Sequence, residues 1–242
     1  MSNRCIFLAG ASGAIGRRLS PLLVAAGWRV VGSTRSRDKA PLLRAMGVEP
    51  VVVDVFDAQA LREAVAGSRP EVVIHQLTDL PFALDAGKMT EALVRNARLR
   101  DEGTRNLVAA TVGAGARRLV AQSISFIYAD GPLPHREDDP LLAETHPVYG
   151  GTVTGVLSLE RQVLGAPVDG IVLRFGLFYG PGTGFDAPIA PGSVHVDAAA
   201  RATVLALTRA APGIYNVAEP DGAVSSEKAG RILGWDAGWR AS

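Results

Sequence analysis

The stretch CIFLAGASGAIG, residues 5–16, decides the fold of this 242-residue chain. An apolar run ends in three glycines at even spacing, Gly10, Gly13 and Gly16, and a segment with apolar residues at helical intervals follows directly. A buried strand that turns sharply into a helix leaves backbone N–H groups unpaired at the helix start, where a phosphate can bind. Glycine permits the tight turn and the close approach of a pyrophosphate. The sequence therefore predicts a nucleotide-binding turn near the start of the chain.

The composition limits the kinds of partner that the chain can have. Its 25 basic and 24 acidic residues nearly balance, which argues against binding to nucleic acid or to an anionic membrane. No apolar run approaches the roughly 18 residues of a membrane span. The first strand pattern begins near Arg4, so we expect no signal peptide and a cytoplasmic protein. The four histidines lack the spacing of metal ligands, and we expect no metal.

Apolar runs alternate with helical patterns along the chain. The runs at 5–9, 29–32, 50–53, 72–75 and 119–122 are separated by helical patterns at 14–26, 38–46, 58–66 and 84–113. Two later runs, 170–174 and 213–217, accompany helical patterns at 152–165 and 197–209. Such alternation predicts an α/β fold with a doubly wound parallel sheet, the Rossmann type. Loops rich in Gly, Pro and acidic residues at 130–147 and 180–192 are expected at the carboxyl edge of the sheet, where ligands bind.

Separated signatures along almost the whole chain resemble those of the extended short-chain dehydrogenase/reductases, in the epimerase/dehydratase branch. In chain order they are the glycine turn, Asp54-Val55, His75 to Thr78, Gly103 to Leu107, Arg174 to Gly182, His195 to Asp197 and Tyr215 to Val217. The resemblance implies one NAD(P)-binding Rossmann domain over 1–242, in which 175–195 and 218–242 form a reduced, interleaved substrate lobe. Only 12 residues separate Gly182 from His195, which favours a small-molecule substrate. The resemblance also allows a homodimer through the helices at 84–113 and 152–165.

The glycine turn and the resemblance together predict the cofactor contacts. Backbone around the turn is expected to hold the phosphates, Asp54 and Val55 to contact the adenine, and residues after the fourth strand to line the cofactor. The predicted set is Gly10, Ser12, Gly13, Ala14, Ile15, Gly16, Thr34, Arg35, Asp54, Val55, Gln76, Leu77 and Thr78.

The end of the second strand predicts which dinucleotide binds. An acidic residue there would bind the ribose hydroxyls of NAD, whereas an arginine accommodates the 2′-phosphate of NADP. Here Thr34 and Arg35 end the strand and no carboxylate appears before Asp38. A guanidinium grips a phosphate through paired hydrogen bonds. We therefore expect NADP(H), with NAD as the second choice. Arg37 and Lys39 follow closely, and the alternative is that Arg35 and these two cations only form a solvated helix start.

The resemblance also implies a catalytic set from which this chain departs. The family carries a Ser or Thr after the fifth strand and a Tyr-x-x-x-Lys on the next helix. Tyr149 is kept, but Val153 takes the place of the lysine and Ile124 that of the hydroxyl residue. Ser123 and Ser125 flank Ile124. The catalytic candidates are therefore Tyr149, Ser123 and Ser125.

Three functions remain open on the sequence alone. The first is an oxidoreductase or epimerase-type enzyme with a non-standard active site. The second is a catalytically inactive sensor of NADP(H) or a regulatory protein. The third is a structural role in which the nucleotide only stabilises the fold.

Overall fold

A computed structural model of the protein describes residues 4–241; the predicted domain over 1–242 extends beyond it by residues 1–3 and 242. Nine strands are present in this part of the chain: β1 Cys5–Ala9, β2 Arg29–Thr34, β3 Glu49–Val52, β4 Val72–His75, β5 Arg118–Ile124, β6 Asp169–Phe175, β7 Phe178–Tyr179, β8 Val194–His195 and β9 Gly213–Val217. Seven of them form a parallel sheet in the order β3-β2-β1-β4-β5-β6-β9, and β7 pairs with β8. The predicted doubly wound fold is confirmed.

Helices cover the sheet on both faces. They are α1 Ala14–Ala25, α2 Ala40–Ala45, α3 Ala58–Ser68, α4 Ala86–Arg98, α5 Thr104–Gly113, α6 Gly150–Leu164, α7 Val196–Arg209 and α8 Glu227–Leu233. The prediction of a single helix over 84–113 is wrong, because a π-helical turn, Leu99–Gly103, divides this stretch into α4 and α5. This turn places the Asp101 carboxylate 2.6 Å from Ser158 Oγ on α6, so α6 is tied to the break. The break coincides with a tertiary hydrogen bond that helical periodicity does not reveal.

The alternation of side chains along β1 explains the two layers of the core. Ile6 and Leu8 belong to the cluster that packs against α1 and α7, whereas Phe7 and Ala9 belong to the cluster on the opposite face, with α3 and α5. Strand side chains point alternately to the two faces, and both faces of a parallel sheet are covered. Cys5 is buried in the second of these clusters. The strand that precedes the glycine turn is therefore fixed from both sides.

Three loops meet above the carboxyl ends of β5 and β6. The backbone N–H of His135 donates to Ala223 O, and that of Ser225 donates to His135 O. The N–H of Glu219 donates to Ser193 O, which joins the third loop. These contacts bring segments on both sides of α7 to one place, as the expected lobe of 175–195 and 218–242 requires. The division of the chain into one domain with such a lobe stays a prediction.

None of the helices within residues 4–241 is long and apolar enough to cross a membrane.

Candidate functional site

The turn after β1 requires its glycines for reasons of space. Gly10 has a φ of +89°, and a Cβ added there would lie 2.6 Å from the backbone oxygen of Gln76. A Cβ at Gly16 would lie 2.3 Å from Gly10 O. Gly13 directly precedes α1 and donates its own N–H to Gly10 O, and no side chain in the described part of the chain caps that helix start. The turn therefore presents uncapped backbone N–H groups, which fit a phosphate.

A cleft of about 330 Å³ opens beside this turn. The structure brings nine of the thirteen predicted cofactor residues to its walls: Gly10, Ser12, Gly13, Thr34, Arg35, Val55, Gln76, Leu77 and Thr78. Ala14, Ile15, Gly16 and Asp54 are not among the lining residues. Gly16 and Ile15 are buried in the first turn of α1, and the carboxylate of Asp54 accepts from Phe56 N–H in an exposed loop. The contact of these thirteen residues with a cofactor stays a prediction.

The walls of the cleft also include residues outside the predicted set. Ser36 and Lys39 lie one and four residues after Arg35 and extend the polar end of the cleft. They stand next to a predicted contact, so proximity in sequence was the available signal. The other additional lining residues are Ala9, Ser33, Val53, Leu61 and Leu99. Leu99 belongs to the π-helical turn, and no local sequence pattern brings it to the cleft.

The polar end of the cleft carries the residues expected to choose between the dinucleotides. Thr34 Oγ1 lies 3.3 Å from Ser12 Oγ and accepts from Ser36 N–H at 3.2 Å. The Arg35 side chain is 53% exposed, and its Nη2 lies 3.4 Å from Asp79 Oδ1. Arg95 Nε lies 3.4 Å from the other oxygen of Asp79. Because an exposed ion pair of this length is weak, Arg35 can exchange Asp79 for a phosphate.

Gln76 follows β4 and has one unsatisfied buried atom. Its Nε2 lies 3.5 Å from Thr203 Oγ1, whereas its Oε1 is buried without a hydrogen-bond partner in the described structure. A buried acceptor without a partner is uncommon in folded proteins. A hydroxyl or amide donor of a bound dinucleotide would satisfy it, so the residues of the cleft fit such a cofactor.

His75 supports the backbone behind Gln76 and Leu77. Its Nδ1 accepts from Leu77 N–H at 3.2 Å, and its Nε2 lies 3.0 Å from Thr104 Oγ1. Burial lowers the pKa of His75 to about 4, and the nearby positive charge of Arg100 acts in the same direction. The imidazole is therefore neutral at pH 7, which suits an acceptor for Leu77 N–H.

We expect the neutral His75 to make stability depend on pH. Its pKa is lower in the folded protein than in the unfolded chain, so the unfolded chain binds protons more readily below about pH 6.5. The free energy of unfolding should fall by about 2 kcal/mol between about pH 7 and about pH 5 through this residue. His75→Asn keeps an acceptor but removes the titration, and urea denaturation at several pH values measures the difference. Parallel pH profiles for the two proteins would contradict the assignment.

The two positions that match the family's hydroxyl residue and lysine lie together in a buried apolar cluster. Ile124 and Val153 are both buried and lie in one apolar cluster with Ile127 and Val156. Tyr149 precedes α6, its side chain is 42% exposed, and its ring centroid lies 5.4 Å from that of His146. Apolar side chains therefore occupy both positions whose polar groups would assist Tyr149 in proton transfer. The geometry offers no lysine or hydroxyl group at the two matching positions.

The structure separates the two candidate serines. Ser123 Oγ donates to Glu160 Oε1 at 2.7 Å and is buried, so its hydroxyl is engaged in the interior. Ser125 follows β5, and its hydroxyl is buried without a partner among residues 4–241. This contact of Ser123 gives no support to a catalytic role for that residue. Among residues 4–241, neither serine hydroxyl forms a hydrogen bond with Tyr149.

The Glu160 carboxylate that accepts from Ser123 belongs to a buried ion pair with Arg174, and Arg174 also hydrogen-bonds Tyr128. Arg174 Nε and Nη2 lie 2.8 and 2.7 Å from the two carboxylate oxygens of Glu160. Arg174 Nη1 donates to the hydroxyl of Tyr128 at 2.9 Å, and this hydroxyl donates to Asn216 Oδ1 at 2.7 Å. Burial raises the pKa of Tyr128, although Arg174 opposes the shift. The Tyr128 hydroxyl is therefore a fixed structural group.

No group of three or more His, Cys, Asp or Glu side chains within the described residues is arranged to hold a metal ion.

Comparison with known proteins identifies the family. A family model described as NAD(P)H-binding matches residues 10–147. The 3-diazoavenalumate denitrifying reductase of a Streptomyces species is 39% identical over 92% of this chain and 78% of its own length. A 4-hydroxy-2-methyl-3-oxo-4-farnesyl-3,4-dihydroquinoline-1-oxide ketoreductase of Stigmatella aurantiaca is 30% identical over 72% of this chain, which spans half the length of that relative.

The fold has a close counterpart among solved structures. The crystal structure of UDP-glucose 4-epimerase from Thermotoga maritima with UDP-glucose matches with a TM-score of 0.79 and 18% identity, over 98% of this chain and 94% of that one. At this identity the likeness establishes the fold alone. The family model and the Streptomyces relative carry the assignment further, since each matches more than half of the chain. The chain therefore belongs to the extended short-chain dehydrogenase/reductases, in the epimerase/dehydratase branch, and carries an NAD(P)H-binding domain.

Proposed function

We propose that the protein is an NADP(H)-dependent reductase of a small molecule whose reduction needs no proton from a tyrosine–lysine pair. The observation that carries this proposal is the apolar packing of Ile124 and Val153 at the two positions of the missing hydroxyl and amine. A carbonyl that accepts hydride must also gain a proton on its oxygen, which is the task of the family's tyrosine. A substrate without that requirement suits this site.

Different residues of the cleft would bind different groups of the cofactor. The uncapped N–H groups in the first turn of α1, after Gly13, would hold the pyrophosphate, and Arg35 with Thr34 would hold the 2′-phosphate. Gln76 Oε1 would accept a hydrogen bond from a donor group of the dinucleotide. When bound, NADPH supplies a hydride. The Arg35 guanidinium supports NADP(H) over NAD(H), because the described end of β2 offers no carboxylate to the ribose hydroxyls.

The name of the Streptomyces relative suggests a substrate class that meets this requirement. A diazo group attached to an arene as a diazonium ion already carries a positive charge and a leaving group. Addition of a hydride to ArN₂⁺ gives ArH and N₂, so the C–N bond breaks, a C–H bond forms and no proton is consumed. The 39% identity over 92% of the chain supports diazo compounds as the first class to test. The protein's own task is to hold the acceptor and to exclude water.

A cofactor-binding sensor is the second candidate. The same loss of the hydroxyl and amine groups favours it, because a sensor needs the cleft but no catalytic residues. The two candidates differ in turnover, since both require tight binding of the cofactor.

Turnover assays separate the candidates. Oxidation of NADPH is followed by absorbance with benzenediazonium as one acceptor and benzaldehyde as the other, and the rate without protein is subtracted. We expect protein-dependent formation of benzene and N₂ from the diazonium ion, and a Tyr149→Phe variant with unchanged rate. Reduction of benzaldehyde that depends on Tyr149 would contradict the proposal. Tight binding of NADPH without turnover of either acceptor would favour the sensor.

A further inference from the structure

A second cavity lies at the carboxyl end of β5 and has a volume of about 230 Å³. The loop after β5, the loop between β7 and β8 and the loop before α8 all contribute to it. Its lining residues are Ser125, Phe126, Tyr128, Leu133, His135, Pro191, Gly192, Ala223 and Val224. None of these residues lines the cofactor cleft. The cavity therefore lies at the ligand-binding edge of the sheet but is formed by other side chains.

One wall of this cavity is a fixed pair of flat rings. The rings of Tyr128 and His135 are stacked with centroids 5.0 Å apart and an angle of 17° between their planes. The Tyr128 hydroxyl is held by Arg174 and Asn216. His135 Nδ1 lies 3.3 Å from Asp139 Oδ2, and its backbone is bonded to the loop before α8. Both rings are thus fixed before any ligand arrives.

Most of the other side chains that line the cavity are apolar, and two of them extend to the surface. Phe126 is 39% exposed and Leu133 is 65% exposed, although both side chains are large and apolar. Pro191 and Val224 complete the apolar walls. A cavity of about 150 Å³ lined by apolar side chains is large enough to hold benzene. About 230 Å³ therefore suits one substituted aromatic ring, whereas small-molecule pockets for larger ligands begin at about 300 Å³.

Ser125 supplies an unsatisfied polar group to this apolar cavity. The residue is 2% exposed, and within residues 4–241 its hydroxyl has no hydrogen-bond partner. Its backbone N–H donates to Phe175 O at 2.9 Å, which fixes the residue at the end of the sheet. A buried hydroxyl without a partner is unfavourable unless a ligand satisfies it.

We propose that this cavity is the acceptor subsite and that it binds a planar aromatic ring bearing a polar substituent. The ring packs against the apolar walls beside Tyr128 and His135, and Ser125 hydrogen-bonds the substituent. This assignment rests on the proposed function, because it supplies the substrate class for the reductase. Ser125 is then the specificity-determining residue.

Binding measurements test the subsite without turnover. Phenol and cyclohexanol are matched in size and in their single hydroxyl, and their dissociation constants are measured by NMR titration with and without saturating NADP⁺. We expect phenol to bind at least fivefold more tightly than cyclohexanol. Ser125→Ala should weaken phenol binding about fivefold without lowering the melting temperature, because the hydroxyl has no partner to lose.

A control variant and three outcomes make the test decisive. Ser68→Ala removes a buried hydroxyl of α3, which donates to Val65 O outside the cavity, and should leave phenol binding unchanged. Equal affinities for phenol and cyclohexanol, or an unchanged phenol affinity in Ser125→Ala, would overturn the subsite while the reductase proposal stood. Absence of NADP(H) binding would instead overturn the reductase proposal, and the titration without cofactor would still test the cavity.

Discussion

Replacement of Arg35 by alanine is expected to weaken binding of NADPH by about 10- to 100-fold and to leave binding of NADH almost unchanged. Hydrogen bonds to charged groups contribute about 1.5–3 kcal/mol each, which corresponds to this range. Arg35 lines the polar end of the cleft, and among residues 4–241 only the weak contact with Asp79 restrains its guanidinium. The 2′-phosphate is the one group that distinguishes the two dinucleotides, so only NADPH loses an interaction.

Isothermal titration calorimetry with both dinucleotides measures this effect. Arg37→Ala is the matched control, because Arg37 is an exposed arginine two residues away that does not line the cleft. It should change neither affinity by more than about twofold, since only distant screened charge is lost. If the native protein bound NADH more tightly than NADPH, Arg35 would have only the role of a solvated cation.

The fold and the turn that begins the cleft could be predicted because their signals are local. The glycines at 10 and 16 are required by backbone contacts within the turn and with Gln76 after β4. The apolar runs are continuous because both faces of the parallel sheet are buried. Arg35 could be placed at the cleft for the same reason, since it directly follows β2.

Features that depend on distant partners could not be predicted. Glu160 and Arg174 carry charges that the sequence alone would place at the surface, yet they form a buried pair that also engages Ser123. Ser123 and Ser125 are equivalent candidates in sequence. The packing of α6 on β5 brings Glu160 to the Ser123 hydroxyl. Ser125 instead lines a cavity that forms where three loops meet. The homodimer stays a prediction, because association depends on a surface that no local pattern defines.

Restoring the family's lysine by Val153→Lys is expected to lower the free energy of unfolding by about 4 kcal/mol or more. Val153 is fully buried among Ile124, Ile127 and Val156, and an unpaired charge inside a protein costs several kcal/mol. Burial should lower the pKa of the introduced lysine, so the unfolded chain binds more protons at neutral pH. Stability should then recover as the pH rises toward about 10, where the amine is neutral in both states.

Val153→Met separates the charge from the added volume, because methionine matches the length of lysine and carries no charge. We expect this variant to lose about 1–3 kcal/mol through overpacking, without any recovery at high pH. Urea denaturation of the two variants at several pH values measures the difference. Equal stability at pH 7 would mean that water reaches position 153. A tyrosine–lysine pair could then be rebuilt there, and the apolar packing at positions 124 and 153 would no longer favour a reduction without a protein proton donor. An unstable lysine variant beside a stable methionine variant would instead show that the site excludes the charge on which the family's proton transfer depends.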